Sequence, residues 1–177
     1  PKSTSKKKFK SGHTHGGPTR LSKLYRRAHV VNAWFQRAVE GWQRDCNSAD
    51  EYTPIGIKHP DRAIEKIRRT YFGVVSRLTD AVRASIVVNS IDEVDNILKI
   101  IANDKSVTIV RGKNRFDSMY PVSDSGGYRD FQLLLRCSGV VVPAQFEDDL
   151  RFVADCQETC AEVQIHVKDI LQFKNSR

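Results

Sequence analysis

The sequence predicts an α+β domain in which helices cover a mixed β-sheet. Two observations carry that expectation. A stripe of apolar residues three and four apart (Leu21, Leu24, Tyr25, Ala28, Val31, Trp34, Phe35, Ala38 and Trp42) marks an amphipathic helix. Four short β-rich runs, 81–88, 107–110, 131–135 and 163–167, alternate with helical periodicities further along. Helices and strands that alternate in this way pack as a sheet with helices against it.

The first helix is expected over 21–45, with arginines opposite its apolar stripe, and the polar stretch 46–53 ends it. Pro60 suits the first turn of a second helix, 60–71, with Ala63, Ile64 and Ile67 on one face and Gly73 as its breaker. After the strand 81–88, Ser90 and Glu93 read as a capping box opening a helix to about Asn103, with Val94, Ile97, Leu98 and Ile101 inward. The polar stretch 112–127 is expected to be a long loop, a length that is usually functional in a compact domain. An edge strand at 140–142 and a helix over 145–156, with Phe146, Leu150 and Val153 inward, precede the last strand and a helical turn.

At 177 residues the chain is long enough to bury its own core, and no apolar run approaches the ~18 residues of a membrane span. Residues 1–39 hold ten of the 29 Lys and Arg and no acid, so the remaining 19 face all 21 Asp and Glu. The net charge of +8 therefore comes from a basic leader ahead of a near-neutral body. The expected organisation is a basic, disordered leader (1–20), a helical segment (21–53) and a main domain (54–177). The leader reads as a solvated tail, an RNA or ribosome contact, or an organelle transit remnant. No secretory signal is expected, since no apolar segment follows the first charges. Cys46, Cys137, Cys156 and Cys160 are too sparse for a disulfide scaffold and read as reduced thiols inside a cell, cytoplasmic or in an organelle, with Cys156 and Cys160 on one helix face.

Asp80 and Glu162 each stand where a β-branched run begins, and two carboxylates at strand ends can share a divalent metal. Alternation places Glu162, Gln164 and His166 on one strand face. Lys58, Arg62, Lys66 and Arg69 gather at the start of a helix and suit phosphate. Lys113 and Arg115 lie in the polar stretch ahead of the turn Gly126-Gly127-Tyr128. No phosphate-binding Walker loop and no Gly-x-Ser-x-Gly elbow occurs, and a zinc site from Cys156, Cys160 and His166 has poor spacing.

In this order Lys58-His59-Pro60, Asp80, Lys113-Asn114-Arg115-Phe116, Gly127-Tyr128 and Glu162-Val163-Gln164-Ile165 resemble the synthetase domain of the RelA/SpoT family, the alarmone synthetases, over roughly residues 55–171. The resemblance implies a nucleotidyltransferase-like fold and metal-assisted transfer of pyrophosphate from ATP to the 3′-hydroxyl of a guanosine nucleotide. Asp80 and Glu162 would be catalytic and hold Mg²⁺. Lys58, Arg62, Lys66, Arg83, Lys113 and Arg115 would bind phosphates, Tyr128 would stack on the acceptor base, Gln164 would support the site and His166 would stand where the family carries arginine. Gly56 replaces the family's arginine two residues before Lys58, Ser85 replaces its arginine five residues after Asp80, and Gln132 replaces its histidine after the tyrosine turn. The His-Asp pairs of the alarmone hydrolase are absent, so synthesis alone is implied. A toxin-like transfer to tRNA 3′ ends and an inactive binding module on a ribosome are the competing expectations, and a further copy of the chain is an expected partner.

Overall fold

The computed structural model describes residues 20–46, 53–121, 123 and 126–175. The expected leader through residue 19, residues 47–52 of the polar stretch and residues 122, 124 and 125 of the expected loop lie outside the described residues. Helix α1 (Leu21–Asp45) is followed by β1 (Thr53–Ile57), α2 (Pro60–Tyr71), β2 (Val82–Val88), α3 (Ile91–Asn103), β3 (Val107–Asn114), β4 (Phe131–Cys137), α4 (Leu150–Gln157), β5 (Cys160–Val167) and α5 (Lys168–Asn175). The strands form one sheet in the order β1-β2-β5-β4-β3, parallel at β2/β5 and antiparallel elsewhere.

Alternation divides this sheet into two chemically different faces. Val82, Ala84, Ile86 and Val88 of β2, Ala161, Val163 and Ile165 of β5, and Leu133, Leu135 and Cys137 of β4 are buried in one core with Val31, Phe35 and Val39 of α1 and Ile97 and Ile101 of α3. On the other face Ser85, Gln164, Gln132 and Lys113 stand level across β2, β5, β4 and β3. Beside that row Arg83, Glu162, Leu134 and Arg111 form a second one.

Local signals hold most elements as expected. Ser90 Oγ accepts from the Glu93 amide (3.2 Å), while the Glu93 carboxylate reaches back to the amide of Asn89 (2.9 Å) rather than that of Ser90. Helix α2 ends at Phe72 (φ 51°) and Gly73 (φ 83°), a left-handed C-terminus.

Several expectations are corrected. Residues 53–57, for which no element was expected, form a strand bulged between Thr53 and Gly56. Strand β3 continues through Asn114, so the loop begins at Arg115 and Lys113 lies on a strand. Val140 and Val142 are buried but form no strand. The expected helix over 145–156 is a short 3₁₀ turn (Ala144–Phe146) and then α4, because Asp149 caps a new helix by accepting from the Phe152 amide (3.0 Å). Leu150 is consequently 79% exposed, and Phe152 and Cys156 face the core instead. Cys160 opens β5 while Cys156 sits on α4, so the two thiols share no helix face.

Candidate active site

Strand β1 delivers Lys58 to the end of β2. The Lys58 amide donates to the Ala81 carbonyl (2.8 Å), and the Tyr25 hydroxyl donates to the Lys58 carbonyl (2.6 Å). With its backbone fixed, Lys58 directs Nζ onto Asp80 Oδ2 at 2.7 Å. Lys66, almost two turns into α2, meets the same oxygen at 2.8 Å. Asp80 is 5% exposed. Burial alone would raise its pKa, but the hydrogen bonds and charges of the two lysines outweigh that and hold it below the usual aspartate range. Asp80 Oδ1 is buried and has no hydrogen-bond partner among the described residues.

Lys58 and Lys66, with Arg62, Arg69, Thr70 and Arg83, line a cleft of about 460 Å³ into which Glu65 also projects. Glu65 pairs with Arg69 (3.0 Å) and Arg62 (3.5 Å) at the exposed rim. The buried Nε of Arg83 has no hydrogen-bond partner among the described residues. Arg83 and Ser85 are two apart on β2 and share a face, so placing the arginine at 83 keeps it on the polar side, one step nearer the lysines. Gly56, opposite Arg83, has φ 68°, a conformation that an arginine there would adopt only under strain.

Glu162 stands beside Arg83 on β5, and Gln164 Nε2 donates to Glu162 Oε1 (2.7 Å). Asp80 precedes Val82, which is level with Ala161, so both carboxylates lie at the N-terminal end of the β2/β5 pair. Among the described residues, no group of three or more His, Cys, Asp or Glu could hold a metal ion. Magnesium held partly by substrate phosphates needs only one or two protein carboxylates, and the orphaned Asp80 Oδ1 with Glu162 fits that sparse donor set.

Two positive-φ glycines, Gly126 (59°) and Gly127 (85°), turn the chain so that Tyr128 reaches the same face. Its hydroxyl hydrogen-bonds His166 Nδ1, and burial, then the nearby Asp130 charge, push the phenol pKa up. His166 is itself buried.

Lys113 and Arg115 are placed elsewhere. Three strand spacings of about 4.8 Å separate β3 from β2, so Lys113 stands about 14 Å from the row of Arg83 and Ser85. Lys113 Nζ lies 5.1 Å from the Tyr120 ring centroid, and Arg115 forms an ion pair with Asp130. Asp130, 1% exposed, also accepts from Gln132 Nε2 (3.3 Å). Arg129 donates to the carbonyls of Arg115 (2.7 Å), Asp117 (3.0 Å) and Tyr120 (3.4 Å). Sequence reasoning passed over both Arg129 and Asp130. The signal was present, since Asp130, like Asp80, is an acid directly ahead of an apolar strand.

No protein-family model matches the sequence, and no curated protein is significantly similar to it. Solved structures do match. The small alarmone synthetase 1 from Bacillus subtilis superposes with a TM-score of 0.66 at 13% identity, over 88% of this chain and 75% of that one. A GTP pyrophosphokinase family protein from Streptococcus pneumoniae gives 0.59 at 15% identity, over 88% and 73%. The Type VI effector Tas1, in complex with its immunity protein, gives 0.57 at 18% identity, over 85% and 63%. The five-stranded mixed sheet and its flanking helices are thus the fold of the small alarmone synthetases.

Proposed function

We propose that this chain transfers pyrophosphate from ATP to the 3′-hydroxyl of a guanosine nucleotide. One observation carries the reading: a buried aspartate holds two lysines that line a cation-rich cleft, beside the strand pair that carries Glu162 and Gln164. Lys58, Arg62, Lys66 and Arg83 supply charge for a polyphosphate without committing to a base. Glu162, fixed by Gln164, is positioned to accept the proton of the attacking hydroxyl. The acceptor oxygen forms a bond to the β-phosphorus, the bond from that phosphorus to the α,β-bridging oxygen breaks, and AMP leaves. Tyr128 offers its ring to the acceptor base, with its hydroxyl anchored on His166. Mg²⁺, held by Asp80 and Glu162, would supply charge neutralisation to the polyphosphate. A structurally similar protein, the small alarmone synthetase 1, has been crystallised with its product pppGpp and with AMPCPP, which supports nucleotides of this class as ligands here.

Labelled ATP and magnesium, offered with guanosine and adenosine nucleotides and with tRNA, test the reading. AMP release with a guanosine nucleotide is expected, and Asp80→Asn should abolish it in a protein that circular dichroism shows to be folded at the assay temperature, at a lower unfolding midpoint because Lys58 and Lys66 lose their buried partner. Release with tRNA alone moves the acceptor to RNA 3′ ends. Absence of AMP with every acceptor, or an active Asp80→Asn protein, ends the proposal.

A further inference from the structure

We propose that Lys58 and Lys66 occupy Asp80 in the place of a divalent cation, so that the carboxylate refuses a bare cation and accepts one only with a polyphosphate that draws Lys66 away. The inference rests on the pyrophosphate-transfer reading above. Both ammonium groups meet one oxygen, Oδ2, and leave Oδ1 buried and without a partner. Asp80 therefore keeps one coordination atom in reserve while its charge is already over-compensated. A bare divalent ion at Oδ1 would face two ammonium groups within a few ångströms, with Glu162 as its one further acid and no cluster of three among the described residues.

The two lysines are not equivalent. The Lys58 side chain is 11% exposed and its backbone is fixed on both sides, by Ala81 and by Tyr25. Lys66 is 33% exposed, on the helix that also brings Arg62 and Arg69 to the cleft. A polyphosphate entering there offers Lys66 several anionic oxygens in exchange for one. The same event frees Asp80 from one competing cation and brings phosphate oxygens to complete the coordination of the arriving ion.

Mn²⁺ binding to the full chain, followed by electron paramagnetic resonance with and without AMPCPP, tests the exchange. The unsubstituted protein should bind Mn²⁺ alone at least about tenfold more weakly than with AMPCPP, and Lys66→Met should tighten binding of Mn²⁺ alone by about tenfold. Lys66→Met should also weaken AMPCPP binding, and adding Asp80→Asn should erase the gain in Mn²⁺ affinity. Arg62→Met lines the same cleft without touching Asp80, so it should weaken AMPCPP and leave binding of Mn²⁺ alone unchanged. If circular dichroism shows Lys66→Met to be unfolded, Lys66→Gln carries the same comparison. Equal Mn²⁺ affinity in the unsubstituted and Lys66-substituted proteins overturns the inference. A gain at Asp80 in a protein that binds no AMPCPP upholds the masking by lysine and sinks the pyrophosphate-transfer reading instead.

Discussion

In the proposed reaction Tyr128 couples two functions in one side chain, a ring for the acceptor base and a hydroxyl bound to His166. Removing the ring with Tyr128→Ala should raise the acceptor's KM by about ten- to a hundredfold, the equivalent of ~1–3 kcal/mol of stacking. Tyr128→Phe should cost less, about fivefold, since it gives up one hydrogen bond of ~1 kcal/mol. Equal losses in steady-state kinetics would assign the role to the hydroxyl. A second residue-scale prediction concerns Asp104, which accepts from Trp42 Nε1 (2.7 Å), the Ser106 amide (2.8 Å) and Ser106 Oγ (2.6 Å). Burial would raise its pKa, but these hydrogen bonds prevail and lower it. A depressed folded pKa stabilises the fold fully above the unfolded carboxyl value, and that stability is lost as pH falls through the folded one. Thermal unfolding should therefore lose more stability on acidification below about pH 4 in the unsubstituted protein than in Asp104→Asn. Asp80 was legible because it stands alone ahead of a β-branched run and basic residues precede it. The pairing of Asp130 with Arg115 was not, since the two lie 15 positions apart and only the fold brings them together.

Elements with one buried face were readable, and elements without one were not. Strand β2 and helix α3 each show a clean period, whereas β3 is an edge strand exposed from Thr108 through Gly112, so nothing but Val107–Val110 marked it. Strand β1 holds Pro54 and Gly56 in five residues, a composition that reads as a turn. The end of α2 carries an element-scale prediction. Phe72 is 84% exposed at φ 51°, where a side chain costs about 1 kcal/mol and its ring buries little to offset it. Phe72→Gly should raise the midpoint of thermal unfolding by about 2–5 °C. An unchanged or lower midpoint would show that the aromatic ring serves the fold.

At the scale of the molecule, charge and chemistry separate along the chain. Deleting residues 1–19 removes Lys2, Lys6, Lys7, Lys8 and Lys10 and none of the proposed cleft residues. Turnover on free nucleotides should persist, while RNA binding weakens and its dependence on salt becomes shallower. Identical RNA affinities at low and high salt, with and without the segment, would leave the leader a solvated end. Alternation anticipated the two faces of β5, but not the strand order, because the position of β5 between β2 and β4 is a long-range property. That position has a consequence for biosynthesis. Of the five described strands, the last to leave the ribosome is the one that joins the two halves of the sheet, and it carries Glu162, Gln164 and His166. Until it inserts, β2 and β4 each present an unpaired apolar edge, the kind of surface that chaperones shield and aggregates exploit. A chain stalled on the ribosome before residue 160 would thus lack Glu162, Gln164 and His166 and would carry two adhesive edges.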